Sequence, residues 1–287
     1  MKKGLIMEGG AMRGIFTAGV IDVLMEAGIE FDGAIGVSAG AAFGCNYKSH
    51  QIGRVLSYNL RFCKDPRFAG VRSLLKTGDL YGAEFCYKTI PYELDPFDKE
   101  RYDSDPMEFY VVCTDVDTGR AVYHRCDVLD DEALDWIRAS ASMPMVSQVV
   151  RIGRQRLLDG GIADSIPIRY FESIGYDRNV LILTRPEDYV KGPNKLLPFF
   201  RLTLRQMPRL LKAIRNRHVV YNETTAYIRQ QERAGQVFVI RPPEELEISR
   251  VEHDPEKILA VYRIGVETAR AALPALRAFL EQEGKAE

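Results

Sequence analysis

Two short apolar runs near the start of the chain restrict the fold more than any other feature, because each closes in a glycine-rich turn and continues into a helix of small and apolar residues. The first run, Gly4-Leu5-Ile6-Met7, leads into Glu8-Gly9-Gly10-Ala11-Met12-Arg13-Gly14. The second, Phe31-Asp32-Gly33-Ala34-Ile35, leads into Gly36-Val37-Ser38-Ala39-Gly40. Strand, tight turn and helix repeated in this way build an α/β sheet with helices on both faces.

The second turn has the form G-x-S-x-G, a nucleophile elbow, in which the strand-to-helix turn lifts a serine hydroxyl clear of the backbone. Gly36 and Gly40 allow neighbouring elements to approach where a Cβ would intrude. Val37 and Ala39 flank Ser38, the candidate nucleophile. A serine attacking an acyl carbon puts negative charge on the carbonyl oxygen, and fixed N–H donors there contribute about 3 kcal/mol each. The first turn supplies such donors at a helix N-terminus, which makes Gly9, Gly10, Ala11, Met12 and Arg13 the candidate oxyanion loop. A dinucleotide fingerprint would need G-x-G-x-x-G and an acidic residue closing a second strand. Here Ala11 holds the third position and no such acid is present.

A hydroxyl needs a base to take its proton. Asp159-Gly160-Gly161 follows the strand-like Gln155–Leu158, which places Asp159 at a strand end, level with Ser38, while Gly160 and Gly161 let the chain turn away. Asp159 is the candidate base. His218 and His253 both follow it, so a Ser-Asp-His triad is formally open, although neither histidine sits in a recognisable motif.

Between these motifs the pattern predicts a buried helix over Ile15–Ala27 stopped at Gly28, a helix from Ser38 to about His50, and a further one over Gln51–Cys63. His50 suits a helix C-terminus. Glycines and prolines from Lys64 to Asp105 predict short helices and loops that form one wall of a cleft. Met107–Thr114 and Ala121–Arg125 read as a hairpin, with His124 a side chain of the sheet surface. Asp115 and Asp117 in its turn cap backbone more readily than they bind metal. Asp130–Ser142 reads as a helix, and Ser140–Met145 as a methionine-containing loop lining an apolar pocket. Val180–Leu183 and Gln236–Ile240 are further strands, and Glu256–Leu280 is a closing helix bent near Pro274.

Lys195–Arg217 carries seven basic residues and no acidic one, with Phe200, Leu204, Met207, Leu211 and Ile214 at helical spacing. Such a stretch can lie on an anionic membrane surface or pack its apolar stripe on a core, and Pro198 and Pro208 argue against one continuous helix. A net charge of −1 argues against general nucleic-acid binding. Glu8 and Arg13 interrupt any secretory apolar stretch. Five scattered cysteines without a C-x-x-C pair read as reduced thiols of a cytoplasmic protein, with neither zinc site nor disulfide framework.

In order and spacing, Gly9-Gly10-Ala11-Met12-Arg13-Gly14, Gly36-Val37-Ser38-Ala39-Gly40 and Asp159-Gly160-Gly161 resemble the patatin-like phospholipases, above all the bacterial ones, over roughly Lys3 to Thr184. The resemblance implies a three-layer α/β/α fold around a mixed, largely parallel sheet, spanning residues 1–287 as one domain with its core at 3–184. It further implies lipid acyl esters as substrates and a Ser38–Asp159 dyad working without histidine; no cofactor is expected, and the basic stretch Lys195–Arg217 offers peripheral contact with the inner face of a membrane. Ala11 stands where the family usually has a third glycine, which matters only if that position needs positive φ. A lipid-binding protein that retains the motifs without turnover is the alternative of another class.

Overall fold

The computed structural model describes residues 1–282. Eight strands form one mixed sheet: β1 (Lys2–Met7), β2 (Gly33–Val37), β3 (Glu108–Asp115), β4 (Ala121–Arg125), β5 (Val150–Ile152), β6 (Gln155–Asp159), β7 (Tyr176–Ile182) and β8 (Val237–Ile240). Their order is β5-β6-β3-β2-β1-β7-β8, with β4 also paired to β3. The centre and one edge are parallel, through the pairs β3-β2, β2-β1, β1-β7 and β7-β8. The other edge is antiparallel.

The apolar runs of β1 and β2 are explained by this order. Both lie in the middle of the sheet with helices on either face, so residues of both pleat directions are buried, and the sequence shows continuous apolar runs instead of alternation.

The helices are α1 (Gly14–Glu26), α2 (Ala39–Lys48), α3 (Arg54–Phe62), α4 (Val71–Thr77), α5 (Lys99–Ser104), α6 (Asp131–Ser140), α7 (Ile168–Ser173), α8 (Leu197–Thr203), α9 (Pro208–Arg233) and α10 (Pro255–Glu281). A π-helical stretch, Phe85–Leu94, contains Pro91, which has no N–H to give to an ordinary helical ladder. One core, under α1, α2, α3, α6 and α10, covers one face of the sheet, and a second, under α7 and α9, covers the other. Helix α1 is buried almost all round and ends before Gly28, whose φ is +63°.

One expectation needs adjustment: the Gln51–Cys63 helix begins only at Arg54, after a left-handed Gly53. The closing helix α10 runs as one element with Pro274 inside it. The basic stretch breaks before Pro208 into α8 and α9, as its prolines argue, and its apolar stripe packs on the core: Phe200, Leu204 and Ile214 are buried, and Met207 and Leu211 pack beside them. The exposed apolar side chains of α8 and its approach are Leu196, Phe199 and Leu202. Among the described residues, no helix is long and apolar enough to cross a membrane.

Candidate active site

Ser38 stands between β2 and α2 with φ 55° and ψ −120°, a backbone conformation that a non-glycine residue holds only under constraint from its surroundings. The constraint is visible. A Cβ on Gly36 would lie 2.4 Å from the Gly40 carbonyl oxygen, and one on Gly40 would lie 2.3 Å from that of Met7. The elbow is therefore pressed against itself and against β1 at distances only glycine permits. The Ser38 N–H is held as well, donating to Ser140 Oγ at 2.8 Å, while the Ser140 hydroxyl donates to the Val112 carbonyl at 2.6 Å. Ser140 thus links the elbow to β3 from the end of α6. The sequence placed it only in a pocket-lining loop.

The first turn lies beside the elbow. A Cβ on Gly9 would approach Ser38 Cβ to 2.9 Å. The N–H groups of Gly9 and Gly10 find no acceptor among the described residues, and Ala11 opens a short 3-10 turn whose first donors are free by construction. Ala11 has φ 49°, so the position does use the left-handed region that the departure from glycine put in question. Glu8, buried at 2% exposure, anchors the loop: its carboxylate accepts from the Thr184 N–H at 2.6 Å and from the Tyr221 hydroxyl at 2.8 Å. A charged residue directly after an apolar strand was the signal for it.

Asp159 reaches the same place from the antiparallel edge. Cys113 pairs with Asp159 across β3 and β6, so the carboxylate comes to the ends of the central strands where Ser38 sits. Its Oδ1 accepts from the Gly161 N–H at 2.7 Å, and its own N–H donates to Ser142 O at 2.8 Å. Burial raises its pKa from the ordinary 3.8, opposed by the Arg217 charge, the Ser38 hydroxyl and the Gly161 N–H. No histidine is among these influences. His253 Nδ1 meets the Cys63 carbonyl at 2.5 Å, and His218, although it lines the cavity, has a buried Nδ1 without a partner among the described residues. A triad histidine would be oriented by the acid, and neither is.

The three motifs open on one cavity of about 620 Å³. Phe68, Tyr87, Ile90 and Phe97 from the segment predicted to be a cleft wall line it, together with Met143, Pro144 and Met145. Arg217, one turn of α9 beyond the buried Ile214, faces Asp159 rather than a surface. His124 stacks on Trp136 at 4.0 Å, and His50 meets Asp105 at 2.6 Å. Asp115 accepts from Thr118 and Asp117 pairs with Arg156. Among the described residues no cluster of three or more His, Cys, Asp or Glu is arranged to hold a metal, and all five cysteines are free.

The family model described as patatin-like phospholipase matches residues 5–172, which contain the elbow, the first glycine-rich turn and Asp159. The chain belongs to the patatin-like phospholipase family. A second model, described as a domain of unknown function, DUF6363, matches residues 207–281, from the start of α9 to the end of α10. Similar proteins include the Escherichia coli (strain K12) "Uncharacterized protein YjjU", 27% identical over 84% of this chain and 69% of that one. The "Lysophospholipase nte1" of Emericella nidulans is 30% identical over 61% of this chain, and that of Neurospora crassa is 29% identical over the same share. The chain spans 11% of the length of each of these two lysophospholipases. Among solved structures, VipD from Legionella pneumophila aligns over 96% of this chain and 67% of its own, with a TM-score of 0.47 and 13% identity.

Proposed function

We propose that this patatin-like protein hydrolyses acyl esters of lipids through a Ser38–Asp159 dyad and an acyl-enzyme. Ser38 Oγ attacks the acyl carbon as its proton passes to Asp159. The oxyanion accepts hydrogen bonds from the Gly9, Gly10, Ala11 and Met12 amides, with the Arg13 charge nearby. Collapse expels the alcohol, which takes the proton from Asp159. Asp159 then draws a proton from water as that water attacks the acyl-serine, and it returns that proton to Ser38 Oγ as the acyl–oxygen bond breaks and the fatty acid leaves.

One observation carries this reading: a serine on a strained elbow beside a fully buried carboxylate whose basicity burial has increased, with unused amides alongside. An aspartate is a weak base in water; desolvation brings it nearer to the task, and the proton moves only as the new bond forms. Family membership and the lysophospholipase relatives agree with lipid esters as substrates. Residues 1–287 act in this reading as one unit. In support, α10 packs along α1, with the Tyr262 hydroxyl on Asp22 at 2.7 Å, so the second matched segment completes the core of the first. The setting we infer is the cytoplasmic face of a membrane.

A fluorophosphonate probe should label the wild type and not Ser38→Ala, and lipid profiling with that variant as blank should give fatty acid as product. A serine that stays unreactive even with vesicles present leaves a lipid-binding protein without turnover. Loss of activity on replacing His218 or His253, with Asp159→Asn still active, would refute the dyad.

A further inference from the structure

The apolar part of the cavity carries polar groups that ester cleavage does not use. Tyr58 of α3 and Tyr87 of the π-helical stretch both line it, and neither hydroxyl has a hydrogen-bond partner among the described residues. Tyrosines buried elsewhere do have one. The Tyr221 hydroxyl donates to Glu8 at 2.8 Å, that of Tyr176 to Glu108 at 2.6 Å, and those of Tyr47 and Tyr102 to the Ile29 and Cys126 carbonyls. Asn59, next to Tyr58 and fully buried in the same wall, donates Nδ2 to the Val55 carbonyl at 2.8 Å and leaves Oδ1 unanswered.

This part of the wall is neutral. Burial pushes both phenols well above their ordinary pKa, so they stay protonated. The guanidinium of Arg54 lies over the Tyr58 ring at 5.4 Å, but its charge is already met by Asp95, at 3.2 Å, and by the Asn46 side chain, at 2.9 Å. Such a wall suits a neutral polar group and not an anion. It also stands away from the nucleophile. Both phenols feel the thiols of Cys45 and Cys86, which sets the four groups in one region, and Cys45 follows Ser38 by two turns of α2, a rise of about 10 Å. A plain alkyl chain running from Ser38 along this wall displaces water from the hydroxyls and returns no hydrogen bond, which costs binding energy.

The geometry points to Tyr58, with Tyr87 and Asn59, as a specificity site for an acyl chain that carries a hydroxyl group near its middle, several carbons from the ester. The inference rests on the lipid-hydrolase reading and narrows the acyl side of its substrate. An alcohol both gives and accepts a hydrogen bond, so it can answer a phenol and a carboxamide oxygen together, whereas a keto group can only accept. A site that bonds a substrate hydroxyl discriminates against the analogue lacking it, because its own polar groups are then stranded.

The test is hydrolysis of p-nitrophenyl dodecanoate and its monohydroxy isomers, with the hydroxyl moved along the chain one carbon at a time. The wild type should show a kcat/KM at least tenfold higher for a mid-chain isomer than for the plain ester or for the isomer with its hydroxyl beside the carbonyl. Tyr58→Phe should lower kcat/KM for the favoured isomer and raise it for the plain ester, since the stranded hydroxyl is gone, and Tyr87→Phe should act in the same sense. No dependence on hydroxyl position in the wild type, or a preference unchanged in both variants, overturns the proposal. Fluorophosphonate labelling of Ser38 keeps the two readings apart. Labelling without a hydroxyl preference sinks the specificity site alone. A Ser38 that neither labels nor turns over any ester sinks the hydrolase, and calorimetry with the hydroxy and plain fatty acids then decides the pocket, equal affinity overturning it.

Discussion

Replacing Ser140 by alanine tests whether the Ser38 backbone is held from outside the elbow. Ser140 has no exposed surface, and its hydroxyl both receives the Ser38 N–H at 2.8 Å and donates to the Val112 carbonyl at 2.6 Å. Alanine keeps the helix end but leaves a buried donor and a buried acceptor unanswered, at about 1–3 kcal/mol each. Because the two groups can relax together, about 3 kcal/mol in total is expected, or a fall of about 6–12 °C in Tm for a chain of this size. The loss should also be kinetic. Ser38 keeps its unfavourable φ only while its neighbours hold it, and a shift of about 1 Å at the reacting oxygen costs about 100-fold. The assay is the rate of fluorophosphonate labelling, measured below both melting points beside denaturant unfolding. Ser140→Cys, with a similar volume and a weak acceptor, should fall between. An alanine variant with wild-type Tm and wild-type labelling refutes the positioning role of Ser140.

Burial raises the pKa of Asp159, so the folded protein holds that proton more tightly than the unfolded chain does. The stability from the neutral carboxyl is present at low pH and lost as pH rises through the folded pKa. Asp159→Asn should therefore abolish turnover, by about 10²–10⁴-fold, without lowering Tm at neutral pH, and a clear drop in Tm would contradict the sign. For the same reason the acid limb of kcat/KM should lie above the ordinary aspartate value of 3.8; a limb at or below it would count against Asp159 as base. Ala11 sits at φ 49°, so Ala11→Gly should retain labelling and change stability by no more than about 1 kcal/mol, whereas Ala11→Val should lose both. Equal tolerance of Gly and Val would show that the loop does not need this conformation. Leu196, Phe199 and Leu202 are exposed on a segment that also carries Arg201 and Arg205. Sedimentation with anionic vesicles should fall when Arg201, Arg205 and Lys212 are neutralised, and unchanged sedimentation would remove membrane contact through this segment.

The sequence alone determined the parts whose backbone demands are local. Gly36, Gly40 and the apolar run before them are required by a turn that no other residues can make, and the Gly9-Gly10 amides are free because a helix begins immediately after them. The strand before Asp159, the cleft wall over 64–105 and the break at Pro208 were legible for similar reasons. What only the tertiary structure decided is which of these parts meet. Asp159 reaches the cavity of Ser38 because β6 lies antiparallel on β3, next to β2, and nothing within a few residues of either specifies that order. The stripe on α8 and α9 has the same spacing whether it meets lipid or core, and only the packed structure shows Phe200, Leu204 and Ile214 turned inward and Arg217 turned toward the aspartate. Ser140 escaped notice because its role consists of contacts to residues distant in the chain, and pattern along a polymer records local geometry but not distant neighbours.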